Sequence, residues 1–144
     1  MFSKRFNIIF IIFLIIFNSC FRNKNPINSE ENYFYKWPEK ITATGIGARN
    51  INIPLPQQRA GALRAARLDF IRKLRYSVIN LSISDTLSVE KIMIINWAIE
   101  GQINDYIRNY HFITDTLDLP TGDVQIDGFI KTKGIKTIIK QNIL

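Results

Sequence analysis

The sequence predicts an α+β fold: a small antiparallel sheet, made from one early strand and a later hairpin, with helices packed on one face. Three observations lead there. Lys40 to Arg49 is β-branched and punctuated by glycine, apolar residues recur at three- and four-residue steps between Gln57 and Arg108, and beyond Tyr110 the period falls to two around a glycine-containing turn.

The first strand is read from Lys40-Ile-Thr-Ala-Thr-Gly-Ile-Gly-Ala-Arg49. Gly45 and Gly47 do not make a phosphate loop, because a dinucleotide fingerprint needs a third glycine and a P-loop needs a following Lys-Ser or Lys-Thr. Inside a strand, such glycines permit a bulge or the close crossing of a helix. Asn50 to Pro56 is a loop, and Pro56 suits the opening of a helix, where its missing N–H has no partner to lose. From Gln57 to Val78, Leu63, Ala66, Phe70 and Leu74 form one stripe, and Arg64, Arg72 and Arg75 fall on the far side. Ala60, Gly61, Ala62, Ala65 and Ala66 are small enough to bring this helix close to a neighbour.

Asn80 to Leu87 is a polar, turn-forming break, after which Ser88 is placed to cap a second helix over Val89 to Arg108. Its stripe is Ile92, Ile95, Ile99, Ile103 and Tyr106, against Lys91, Glu100, Asn104 and Arg108 outside. Met93 and Trp97, off the centre of that stripe, are expected to pack against another element. Tyr110 to Leu119 and Asp123 to Lys133 then flank Pro120-Thr-Gly122, a hairpin signal. In the second arm Val124, Ile126, Gly128 and Ile130 share one face, and Gln125, Asp127, Phe129 and Lys131 the other. Gly134 interrupts the run, and Ile135 to Leu144 reads as a short extra strand or a loose tail.

Ahead of this domain, residues 1–19 read as a signal peptide. Lys4 and Arg5 make a positive start, Phe6 to Phe17 is an apolar run broken only by Asn7, and Ser19 precedes Cys20, the only cysteine. An apolar run of about a dozen residues is short of the roughly 20 that a helix needs to cross a bilayer. Phe17-Asn18-Ser19-Cys20 resembles the lipobox of bacterial lipoproteins, in which the acylated cysteine becomes the first residue of the mature chain. The other two readings are a secreted protein cut near Ser19 and an uncleaved anchor. Acylation at Cys20 accounts for a lone cysteine placed directly after the apolar run. Residues 20–36, rich in Asn and charge, form a tether with an extended reach of about 50 Å, and residues 37–144 form one domain. Tyr33, Phe34, Tyr35 and Trp37 mark where the tether docks onto it.

Composition narrows the class further. With 144 residues there is room for one core, and one cysteine permits no internal disulfide, so ten Phe and the many Ile must hold the fold. The net charge is +7 and stays positive once Lys4 and Arg5 are removed. Outside the cytoplasm, a basic balance points to anionic lipid, lipopolysaccharide, peptidoglycan or an acidic partner, and not to nucleic acid. The arginine face of Arg64, Arg72 and Arg75 is the part of the domain best suited to such a ligand.

The Ile41-Thr-Ala-Thr-Gly-Ile-Gly47 strand, the Gln57-Gln-Arg-Ala-Gly-Ala-Leu-Arg-Ala-Ala-Arg-Leu-Asp69 segment leading to Arg72 and Leu74, and the Leu119-Pro-Thr-Gly-Asp-Val124 hairpin together resemble the lipoprotein-20 family of bacterial outer-membrane lipoproteins. Phe70 departs from that family's pattern, which more often has alanine there. The resemblance implies a helix-on-sheet domain anchored by lipid at the outer membrane, with a structural or assembly role, in some members around the flagellar motor. It implies no catalytic residues.

The residues themselves point the same way. His111 is the only histidine, so a nucleophile, base and orienter set would rest on one base inside a strand. Asp115, Asp118, Asp123 and Asp127 surround the hairpin, but their spacing fits no calcium loop. The expected function is therefore a non-enzymatic envelope lipoprotein without cofactor or metal, which self-associates or joins an envelope protein partner. The alternative is a lipid-tethered binding module for an anionic envelope ligand.

Overall fold

The computed structural model describes residues 36–143, which lie in one compact unit, Tyr33–Leu144. The signal segment, Cys20 and the tether through Tyr35 lie outside the described residues. The order of elements is β1 (Lys40–Gly47), α1 (Leu55–Ile79), α2 (Val89–Ile95), α3 (Trp97–Asn109), β2 (His111–Asp118), β3 (Val124–Lys131) and α4 (Thr132–Ile143). The three strands form an antiparallel sheet in the order β1-β3-β2. This is the α+β arrangement that the sequence predicts.

The sheet is amphipathic by alternation. Ile41, Gly45 and Gly47 of β1 and Val124, Ile126, Gly128 and Ile130 of β3 are buried on one face. On the other face lie Lys40, Thr42, Thr44 and Phe129. α1 covers the buried face at unusually short range. A Cβ on Gly45 would stand 2.2 Å from the Ala66 carbonyl oxygen, and one on Gly47 would stand 1.9 Å from that of Ala62. Only glycine admits the helix backbone here. On the helix side Ala62 and Ala66 make the approach, whereas Ala60 and Ala65 are exposed and take no part in it.

Phe70, Leu74 and Val78 continue the stripe of α1 into the core, joined by Ile99, Ile103 and Ile107 of α3 and Ile135 and Ile139 of α4. Leu63 packs at its margin. The Phe70 ring occupies the room above Gly128, where a Cβ would come within 2.8 Å of its Cζ, and meets His111 edge-on at 5.5 Å. Trp37 is buried and its indole N–H donates to the Ser82 carbonyl, so the chain docks where it enters the domain.

Two readings of the sequence are corrected. The predicted helix over Val89 to Arg108 is two helices. Asn96 adopts an extended conformation and its Oδ1 accepts from Ala98 N–H at 3.1 Å and Ile99 N–H at 3.3 Å, so it ends α2 and caps α3. The break turns Ile95 and Trp97 out to solvent and brings Ile107 into the core in place of Tyr106. The segment Ile135 to Leu144, expected as strand or tail, belongs to the helix α4 through Ile143, because Thr132, Ile135 and Ile139 recur on one buried stripe. Gly134 is accommodated in its first turn since the Tyr106 ring lies 2.2 Å from where a Cβ would stand.

Candidate functional site

The residues singled out from the sequence divide between the described domain and the segment before it. Cys20 lies outside the described residues. Arg64, Arg72 and Arg75 are all exposed along α1, on the side away from the sheet's core, as the periodicity predicts. They do not converge on one point. Arg64 Nε donates back to the Ala60 carbonyl at 3.3 Å, Arg72 pairs with Asp69, and Arg75 donates to Asn104 Oδ1 at 3.0 Å and Glu100 at 3.4 Å on α3.

Of the three, Arg72 borders a cavity. A cleft of about 420 Å³ runs between β1 and α1, lined by Thr42, Ala43, Arg72, Lys73, Tyr76 and Ser77. Its two cations share Asp69, whose carboxylate takes Arg72 on one oxygen and Lys73 on the other at 2.8 Å. Lys73 also donates to the Thr44 carbonyl at 2.9 Å, and Ile46 N–H donates to Asp69 at 3.1 Å. The Lys73 contact above all, helped by the Ile46 N–H and Arg72, holds the Asp69 carboxyl at about 2 against the effect of its burial. The cluster is thus committed to tying α1 to the rim of β1, and one full positive charge of the pair is cancelled.

The hairpin carboxylates do not gather either. Asp118 pairs with Arg59 of α1 at 3.0 Å, Asp123 accepts from the Arg49 N–H, Asp127 accepts from Thr44 and Gln125, and Asp115 accepts from the Thr116 N–H. Among the described residues no three potential metal ligands come together. His111 Nδ1 donates to the Ile107 carbonyl at 2.9 Å, which fixes the ring against Phe70.

What the domain does present is apolar surface on rigid elements. At the α2–α3 break, Ile94, Ile95 and Trp97 are 78%, 80% and 84% exposed. The extended Asn96 separates two helices that are each held in the core, by Ile92 and Met93 on one side and Ile99 on the other, so the three side chains form a fixed knuckle. The sequence reading placed Met93 correctly against another element and Trp97 incorrectly. On the outer sheet face Phe112 and Phe129 stack at 5.0 Å, with Lys40 over Phe129 at 4.7 Å and Lys131 over Phe112 at 5.4 Å. Each cation lies over an aromatic ring, an arrangement that steadies an exposed aromatic pair.

Compared with known proteins, the chain matches no family model, no curated protein and no solved structure.

Proposed function

We propose that this chain is a non-enzymatic, lipid-anchored protein of the bacterial cell envelope whose domain works by association, as a structural or assembly part, either with further copies of itself or with an envelope protein partner. Cys20 is the anchor in this reading, and residues 20–36 carry the domain clear of the membrane. The observation that supports it best is the knuckle of Ile94, Ile95 and Trp97, three large apolar side chains left in solvent by a helix break that is itself firmly capped. Scattered single apolar residues are ordinary on a surface, but three large ones within four positions at one helix junction suit a contact site, and tryptophan is enriched at such sites. The outer membrane as location, and a flagellar context, come from the family resemblance and belong to the proposal.

The test is chemical cross-linking of the full-length protein in isolated envelopes, followed by identification of whatever is joined to it. The reading predicts a discrete adduct, with itself or one envelope protein, that Trp97→Ala diminishes. A chain that stays monomeric in concentrated detergent solution and joins nothing in the envelope overturns it.

A further inference from the structure

We propose that β2 pairs antiparallel with β2 of a second copy, joining two sheets into one, in a register that sets Phe112 of one copy opposite Leu117 of the other. The inference rests on the reading of the domain as one that works by association, and it names the partner and the edge.

The two edges of the sheet are treated differently. At β1, Asp69 and Lys73 of α1 occupy the Ile46 N–H and the Thr44 carbonyl, so α1 covers that part of the rim. At β2, the only strand alongside among the described residues is β3, and every residue from Phe112 to Asp118 is exposed. Phe112, Ile113 and Leu117 remain 47%, 39% and 43% exposed on this strand. An open edge of that length is a template for another strand, whereas side chains of α1 obstruct the opposite rim at Thr44 and Ile46.

The register follows from a bulge. Facing residues of an antiparallel pair point to the same side, so a regular strand that pairs with its own copy opposes positions an even number apart. β2 is not regular, since its alignment on β3 slips between Ile113 and Asp115. His111, Ile113, Thr116 and Asp118 therefore share the core side, opposite Ile130, Gly128, Ile126 and Val124, while Phe112, Asp115 and Leu117 share the outer side, opposite Phe129, Asp127 and Gln125. Any self-pairing that spans the bulge must oppose residues an odd number apart.

Centring a two-fold axis between Thr114 and Asp115 satisfies this and pairs like chemistry at the two inner steps. His111 meets the partner's Asp118, Phe112 meets the partner's Leu117, and Ile113 meets the partner's Thr116, each pair occurring twice. Apolar pairs and β-branched pairs directly across a ladder stabilise it. Moving the axis one residue back sets Phe112 against Asp115, which loses the apolar match. Moving it one residue forward sets outer Asp115 against core-side Thr116, which the pleat does not allow. The pairing is isologous and closes on itself. It also extends the outer row of Phe129 and Phe112 with the partner's Leu117.

The test uses two tagged forms of the full-length protein, F112C and L117C, co-expressed and oxidised in native membranes, with the wild-type chain as control for Cys20. The proposal predicts a disulfide-linked dimer from the mixed pair and none from either variant alone, because like positions lie about 17 Å apart along the paired strands. The same experiment with I113C and T116C reads the core side, and serves if circular dichroism shows that either first variant has lost its fold. Leu117→Lys is expected to weaken the dimer about tenfold through two lost cross-strand pairs, with an unchanged melting temperature of the monomer. An oligomeric chain whose mixed pairs do not link, or whose single variants link as well, overturns the β2 register and leaves the association reading standing. A chain monomeric throughout overturns both.

Discussion

The backbone N–H of Ile46, on the open side of β1, donates to the carboxylate of Asp69, one helix away in α1, at 3.1 Å. Two residues earlier along β1, Lys73 donates to the Thr44 carbonyl, and Lys73 and Asp69 also pair with each other. A helix thus supplies through side chains the hydrogen bonds that a further strand would have supplied through its backbone. α1 takes the place of a neighbouring strand along residues 44–46 of β1.

Asp69→Asn should remove the charge that holds Lys73 and Arg72, at a cost of about 2 kcal/mol near neutral pH. The pH dependence has a definite sign. Asp69 titrates at about 2 in the folded chain against an ordinary value of 3.8, so its contribution is present above about pH 4 and is lost as pH falls toward 2. Urea unfolding across that range should show wild type and Asp69→Asn converging in acid. Parallel curves would contradict the assignment.

Gly47→Ala should be among the most damaging single substitutions. The added methyl meets the Ala62 carbonyl at 1.9 Å and the Ala66 nitrogen at 2.4 Å, both backbone atoms that move only if the whole of α1 moves. About 3 kcal/mol of destabilisation is expected, measured by denaturant unfolding. Gly61→Ala, where the nearest atom is 3.9 Å away on the Ile53 side chain, is the control and should be neutral or mildly stabilising.

Asn96→Ala should cost about 1 kcal/mol, the usual loss when a helix N-cap is removed. Two N–H groups of α3, those of Ala98 and Ile99, lose their acceptor. Hydrogen exchange at those two amides should accelerate more than at Ile103 or Ile107, deeper in the same helix. Equal acceleration throughout would mean that Asn96 does not act as a local cap.

Trp97→Ala should leave the stability of the domain within about 0.5 kcal/mol of wild type, since the ring is 84% exposed. Association should fall in the same variant. A large loss of stability would show that Trp97 serves the fold instead of a contact.

Much of the fold is legible because its determinants are local. Gly45 and Gly47 announce a bulge or a close crossing, of which the crossing is found, Pro120-Thr-Gly122 announces the hairpin, and the positive φ of Gly122 is what that turn requires. The exposure of Arg64, Arg72 and Arg75 follows from period alone. Their partners were only partly readable: Asp69 stands three and four residues before Arg72 and Lys73, a spacing that pairs charges on a helix, whereas Glu100 and Asn104 reach Arg75 only through the packing of α3 on α1. Asn96 was missed because apolar residues continue at helical intervals through it, although asparagine's preference for caps over helix interiors is a usable signal. The knuckle is hidden with it, since an unbroken helix puts Ile95 in the apolar stripe and Trp97 just off its centre, and the break exposes both. α4 was misread because Gly134 and β-branched Ile135, Ile138 and Ile139 suggest a broken strand, while the spacing of Thr132, Ile135 and Ile139 is helical.

We propose that a lipid on Cys20 holds this domain at a bacterial envelope, where it works by association. Intact-mass spectrometry of the protein extracted from membranes tests it most directly. The expected species is a chain that begins at Cys20 and carries the added mass of acyl chains. A chain that begins at Met1 with a free thiol at Cys20 would contradict it.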